Sequence, residues 1–249
     1  MEKQGPLRTL KLTLAYDGTD FHGWARQPGL RTVEGALSEA CVRVLRSAFE
    51  LVGASRTDRG VHALGQVASL ETRSPMPCRR LLKALNSVLP EDPSVLRVEE
   101  APPGFNARFA ARAKLYRYRI LASPTPHPLE RRYSWHVPFP LDEARMSEGG
   151  AALVGTHDYA SFARADEERS TVRTLLTVDV ARSASIITID VRGDGFLHNM
   201  VRAIAGTLVE VGRGRFEVAA VRGILAARDR SAAGPTAPAH GLFLVEVVY

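Results

Sequence analysis

Cysteine is scarce: 249 residues hold two, Cys41 and Cys78, with no CxxC motif and no histidine pair at ligand spacing. That excludes a disulfide framework and a structural zinc site and fits a reducing compartment. Long apolar runs are missing too, since none reaches the roughly 18 residues of a membrane span. The opening stretch MEKQGPLRTLKL has no apolar core of the kind a secretion signal needs, so the expected location is the cytoplasm. Glycine and proline stay at 20 and 15 while hydrophobic residues reach 45%, which excludes a disordered or collagen-like chain. The seven histidines are scattered, with no HExxH among them, and no GxxxxGK loop occurs. No metal and no nucleotide or other organic cofactor is therefore expected. What is left is a globular chain long enough for one large domain or two modest ones.

Lysine is the other absence. The chain has 4 lysines against 29 arginines and a formal net charge of +6. A basic balance favours polyanionic partners, and the planar guanidinium suits phosphates and stacking on bases. A GC-rich genome would produce the same bias, so position has to decide. Residues 108 to 132 hold Arg108, Arg112, Lys114, Arg117, Arg119, Arg131 and Arg132 against one acid, Glu130, interleaved with Phe109, Tyr116 and Tyr118. Cations and aromatics mixed in this way point to nucleic acid.

Periodicity predicts an element order that occurs twice. Residues 8 to 16 alternate, with Leu10, Leu12, Leu14 and Tyr16 on one face, as in a half-buried strand. Thr32 is placed to cap a helix carrying Val33, Leu37, Cys41, Val44, Leu45 and Ala48 at spacings of three and four. Strands near 49–54 and 61–71 flank the polar turn SRTDRG and read as a hairpin. Pro77 then opens a helix with Leu81, Leu82, Leu85, Val88 and Leu89, and 94–101 is a last strand. The second half is expected to repeat this βαββαβ order. Its strands fall at 113–122, 171–181, 185–192 and 242–249, with helices over 141–154, closed by Gly155, and over 197–211. A further helix near 217–228 is extra. The fold class is α+β: two ferredoxin-like halves, 1–105 and 106–249, whose antiparallel sheets join and leave a basic cleft between them.

Three places hold candidate chemistry. Arg56-Thr57-Asp58-Arg59-Gly60 sets a carboxylate between two guanidiniums at a hairpin tip, where backbone is exposed to ligands. Flanking cations favour an ionised carboxylate, the form a nucleophile or base needs, although an Asp two residues before a Gly is also ordinary turn chemistry. On strand 113–122, Tyr116, Tyr118 and Ile120 share one face and Arg117 and Arg119 the other, which suits an RNA contact or simply a half-buried strand. Arg202 sits in the apolar stretch GFLHNMVRAIAG, either on the helix's one wet face or paired with a carboxylate such as Asp58.

Several segments, in order, carry a resemblance: YDGTDFHGWARQ, SRTDRGVHALGQV, NARFAARAKLYRYRI, GTHDYASF, TVRT, GFLHNMVRAIAGTLVEVG and HGLFLVEV. Together they resemble the tRNA pseudouridine synthase A family from about residue 10 to the end. The resemblance implies conversion of uridine to pseudouridine in the anticodon stem-loop of tRNA, at positions 38, 39 and 40, by a homodimer without cofactor. It implies Asp58 as catalytic nucleophile with Arg56 beside it, Arg202 as the arginine paired with the carboxylate, Tyr116 against the target uracil, and Leu242 lining the pocket. Arg59 and the stretch Phe105, Asn106, Ala107, Arg108, Phe109 are expected to bind RNA. Two residues depart from the family pattern: Arg59 stands where a small residue is usual and Ser55 where glycine is. Residue identity leaves open whether Asp58 attacks the sugar, attacks the base or removes a sugar proton. The competing expectation is a catalytically silent tRNA-binding module in which Asp58 is a turn residue.

Overall fold

The computed structural model describes residues 5–163 and 170–249. They divide into two compact units, residues 1–112 with 244–249, and residues 113–243. The first follows the expected βαββαβ order; the second follows it only as far as its helices, with two added short strands, because the closing strand belongs mostly to the first unit, and the α+β class is observed. No described helix is long and apolar enough to cross a membrane.

The first unit contains β1 (Arg8–Tyr16), α1 (Val33–Leu45), β2 (Phe49–Gly53), β3 (His62–Thr72), α2 (Cys78–Asn86) and β4 (Pro93–Ala101). The chain's last strand, β10 (Leu242–Val248), enters this unit from Leu244 onward. β1 lies between β4 and β3 and is antiparallel to both. β3 is longer than its partners and is shared along its second edge. Leu51 of β2 faces Leu70 there, while nearer the other end a Cβ on Gly65 would meet the carbonyl of Val245 at 2.3 Å. Leu10, Leu12, Leu14 and Tyr16 are buried as the alternation requires, as are Val33, Leu37 and Cys41 of α1 and Leu81 and Leu85 of α2. Thr32 caps α1, its Oγ1 accepting from the Gly35 N–H at 3.2 Å. The helix stops at Leu45, short of Ala48, because Arg46 takes the left-handed conformation.

The second unit contains β5 (Ala113–Ala122), α3 (Glu143–Ala151), β8 (Val172–Ser183), β9 (Ile186–Gly193), α4 (Met200–Gly212) and α5 (Ala220–Ala227). Its antiparallel strands run in the order β5, β9, β8, β7, where β7 is a short strand at Gly155–Asp158. A second short strand, β6 (Trp135–Val137), pairs parallel to β5. Neither was expected from sequence, and Gly155 opens β7 instead of closing a helix. α4 begins at Met200 because Asn199 is left-handed, and every residue of this helix except Arg202 is buried. Next to it, a Cβ on Gly206 would meet the carbonyl of Pro235 at 1.7 Å, so the 234–241 segment lies directly on the helix.

Both cysteines are free. Cys41 is fully buried in α1 and its thiol is pushed up to about 12 by burial, whereas Cys78 is partly exposed. A thiol reagent at neutral pH should therefore titrate one cysteine in the native protein and two after unfolding. Rapid reaction of both in the native state would show that α1 is not packed as described.

Candidate active site

The hairpin tip, residues 54–61, is built from beneath. Hairpin pairing continues past β2, as Ala54 N–H donates to Val67 O at 2.8 Å, and the chain then leaves the sheet. At that point the fully buried Gln66 takes over. Its Nε2 donates to Ser55 O at 2.7 Å, and its Oε1 accepts from the N–H groups of Ser55 and Val67, both at 3.2 Å. One side-chain amide thus stands in for the next rung of the ladder. Thr57 is buried as well, sharing a 2.8 Å hydrogen bond between its Oγ1 and the Tyr16 hydroxyl.

The loop that follows β1, residues 17–24, supplies the other wall. Trp24 N–H donates to Thr57 O at 3.0 Å and Gly60 N–H to Phe21 O at 3.3 Å. Gly18 N–H donates to Nδ1 of the buried His62 at 3.0 Å. The approach leaves no room for side chains. A Cβ on Gly18 would sit 1.9 Å from Val61 O, and one on Gly23, whose φ is +89°, would sit 2.6 Å from Thr57 O. Asp58 itself is half-buried, its carbonyl accepting from Val61 N–H at 3.1 Å, and Gly60 turns the chain at φ 76°. Arg56 and Arg59 on either side are exposed. A backbone fixed at Thr57 and Gly60 with the carboxylate between them meets the geometric need of a positioned nucleophile or base.

The stretch 105–109 splits into anchor and surface. Asn106 Oδ1 accepts from the N–H groups of Arg108 and Phe109 at 3.0 and 3.2 Å, the turn chemistry typical of this residue. Ala107 is fully buried, its carbonyl accepting from the Tyr249 hydroxyl at 2.9 Å, and Phe105 meets the Tyr249 ring edge-on at 5.0 Å. Arg108 and Phe109 stand outside, with Phe109 80% exposed.

In the second unit, Tyr116 is buried and meets Phe196 edge-on at 5.0 Å. Two neighbouring arginines are committed to carboxylates. Arg117 forms a bidentate pair with Asp190, the residue opposite it on β9, at 2.7 and 2.6 Å. Arg119 pairs with Glu130 at 3.0 Å. The basic run read from the sequence is therefore partly neutralised. Arg202, the one wet residue of α4, donates through Nε to Ala237 O at 2.7 Å and through Nη1 to Asn199 Oδ1 at 2.6 Å. The same segment is tied to β5, because the Tyr118 hydroxyl donates to Pro238 O at 2.7 Å. Burial drives the Tyr118 hydroxyl pKa upward, so it stays a donor. Leu242 follows directly and is buried. Arg202 and Leu242 are thus held by one strap, residues 234–242. Sequence reasoning missed the positioning residues Gln66, Tyr16, Gly18 and Gly23, whose partners lie far along the chain.

Among the described residues no three His, Cys, Asp or Glu side chains converge as metal ligands. The family described as tRNA pseudouridine synthase matches residues 13–110 and 151–249. Similar curated proteins carry the name tRNA pseudouridine synthase A. That of Moorella thermoacetica is 46% identical over 243 residues, 96% of this chain and 99% of its own. That of Bacillus pumilus is 44% identical over 243 residues, covering 96% and 98%. That of Thermoanaerobacter sp. (strain X514) is 41% identical over 244 residues, covering 98% and 100%.

Replacing Gln66 by leucine keeps the volume and deletes the amide that serves Ser55. Urea unfolding should show a loss of about 2–3 kcal/mol, the cost of buried backbone groups losing a partner. A loss under about 0.5 kcal/mol would mean that Gln66 does not hold the tip.

Proposed function

Because the chain belongs to the tRNA pseudouridine synthase family, we propose that it isomerises uridine to pseudouridine in the anticodon stem-loop of tRNA, at positions 38, 39 and 40, with Asp58 as nucleophile. The observation that carries this reading is the hairpin tip: an aspartate between two exposed arginines, on a backbone fixed from two sides by buried hydrogen bonds. A turn that needed only to reverse the chain would not require Gln66, Tyr16 and two side-chain-free contacts beneath it.

The net reaction breaks the C1′–N1 bond and forms C1′–C5; the C5 proton leaves and N1 takes up a proton. The target base has to leave its stack before C1′ is reachable, and a flipped uracil needs an aromatic or apolar wall. Tyr116 is assigned to that wall, with Leu242 beside it lining the pocket. Arg56 and Arg202 are assigned to the carboxylate and the substrate phosphates, where a guanidinium gives bidentate contact. Arg59, Arg108 and Phe109 are the exposed groups assigned to RNA, with Phe105, Asn106 and Ala107 holding the last two in place. In this reading residues 1–105 bring the nucleophile and 106–249 the RNA-contacting strand and pocket. The working form is a cytoplasmic homodimer without cofactor.

The test is tritium release from tRNA labelled at uridine C5. Wild type should release tritium as water, and Asp58→Asn should release it at least about a thousandfold more slowly while still binding tRNA. Binding without release by wild type would establish the silent tRNA-binding module instead. Equal release by both proteins would remove Asp58 from its role.

Arg59→Ala should weaken tRNA binding about threefold to tenfold and flatten the slope of log K against log salt by about 1. Unchanged affinity at two salt concentrations would place Arg59 in solvent.

A further inference from the structure

Four arginines converge on a hollow of about 790 Å³ in the first unit, away from the hairpin tip. Arg43 and Arg46 come from the end of α1, Arg73 follows β3, and Arg80 stands in the first turn of α2. All four are exposed, and none is ion-paired among the described residues. No carboxylate lines the hollow, although Arg43 shares a neighbouring hollow with Glu39 and Arg73 shares another with Glu50 and Glu71.

The helix dipole accounts for half of this cluster. Arg43 and Arg46 close α1, the end that attracts cations. Arg79 and Arg80 open α2, the end that repels them, and there no acid stands in the first turn and no side chain caps the helix. Among the described residues the Arg79 and Arg80 side chains make no ion pair or hydrogen bond, so these cations at an uncapped helix start break a local rule without compensation, which is how functional sites depart from consistency. A phosphate in the hollow would meet the four guanidiniums together.

We propose that this hollow is a phosphate site that takes backbone phosphates of tRNA outside the anticodon stem-loop. The proposal rests on tRNA as substrate and not on the chemistry of Asp58. β3 runs from the hairpin tip to Arg73, and its eleven residues at about 3.3 Å each put the hollow roughly 30 Å from Asp58. Contacts there fall on RNA well removed from the target nucleotide.

The experiment compares the full-length protein with Arg73→Gln/Arg80→Gln and with Lys83→Gln/Arg222→Gln, which removes two charges from exposed positions that carry no ion pair among the described residues and do not line the hollow. Binding of whole tRNA and of the isolated anticodon stem-loop is measured across a salt series. Whole tRNA should bind Arg73→Gln/Arg80→Gln about tenfold more weakly, with a salt slope shallower by about 1 to 2, while stem-loop affinity and unfolding temperature stay at the wild-type values. The control pair should lose no more than about twofold. Wild-type tRNA affinity in Arg73→Gln/Arg80→Gln overturns the proposal. An equal loss in the control pair, or an equal loss on the stem-loop, also overturns it. Inorganic tripolyphosphate separates the sources: if it binds wild type but not the Arg73→Gln/Arg80→Gln variant, and tRNA affinity is the same in both, the site takes a free phosphate compound and the RNA assignment falls. Wild type that releases no tritium, with the binding difference intact, would sink the catalytic reading and leave this one standing.

Discussion

A hairpin tip that leaves its sheet has to find new partners for its backbone, and here they come from one close approach. The 17–24 loop reaches the 54–61 tip at two glycines where a methyl group would collide with a carbonyl oxygen. That closeness lets Trp24 N–H reach Thr57 O and Phe21 O receive Gly60 N–H. The glycines cost chain entropy in the unfolded state, and the hydrogen bonds and the burial of Phe21 and Trp24 offset it. Fixing a carboxylate in this way removes freedom before a ligand arrives, so binding energy need not be spent on ordering the loop. Substitution at Gly18 or Gly23 would therefore act on the site without touching a substrate.

The same logic is repeated in the second unit with different parts. The 234–242 strap is fixed on one side by Gly206, which has no side chain to push it off α4, and on the other by the Tyr118 hydroxyl on Pro238. Arg202 donates into that strap through Ala237, and Leu242 emerges from it. α4 is buried on all sides but one, so this arginine sits where the helix meets water and keeps its charge solvated. In each unit, then, a candidate site residue is positioned by a segment that is pressed against a glycine.

How much of this could be read from sequence depended on the range of the signal. Alternation of Leu10, Leu12, Leu14 and Tyr16 and the three-and-four spacing of α1 are local; the strand appears where the spacing places it, and the helix does too except that it ends at Leu45, short of Ala48. Strands of three and four residues, β6 and β7, are too short to show a period. The early start predicted for α4 ignored the left-handed Asn199, and nothing nearby in the chain announces that conformation. The hairpin tip was legible as a loop bearing Asp58. Gln66 was not, because its role exists only once β3 has folded back eleven residues onto Ser55. Asn106 and Ala107 were legible as a motif, whereas their work as a turn and an anchor needed Tyr249, at the far end of the chain.

Arginine content shows why charge must be weighed by its partners. Arg117 and Asp190 face each other across β5 and β9, so that pair adds no net charge to the strand that looked most like an RNA surface. Arg31 is held the same way by Asp92, at 2.5 and 2.7 Å. A guanidinium already bound to a carboxylate has given up its counterion and has less to gain from a phosphate, because polyanion affinity at physiological salt comes from ions released on binding. The arginines that matter for a nucleic acid are therefore those the fold leaves exposed without an acid, and Arg56, Arg59 and Arg108 meet that condition beside the hairpin tip and the 105–109 turn. A count of 29 arginines marks the chain as suited to a polyanion, but the placement of its acids decides where one can bind.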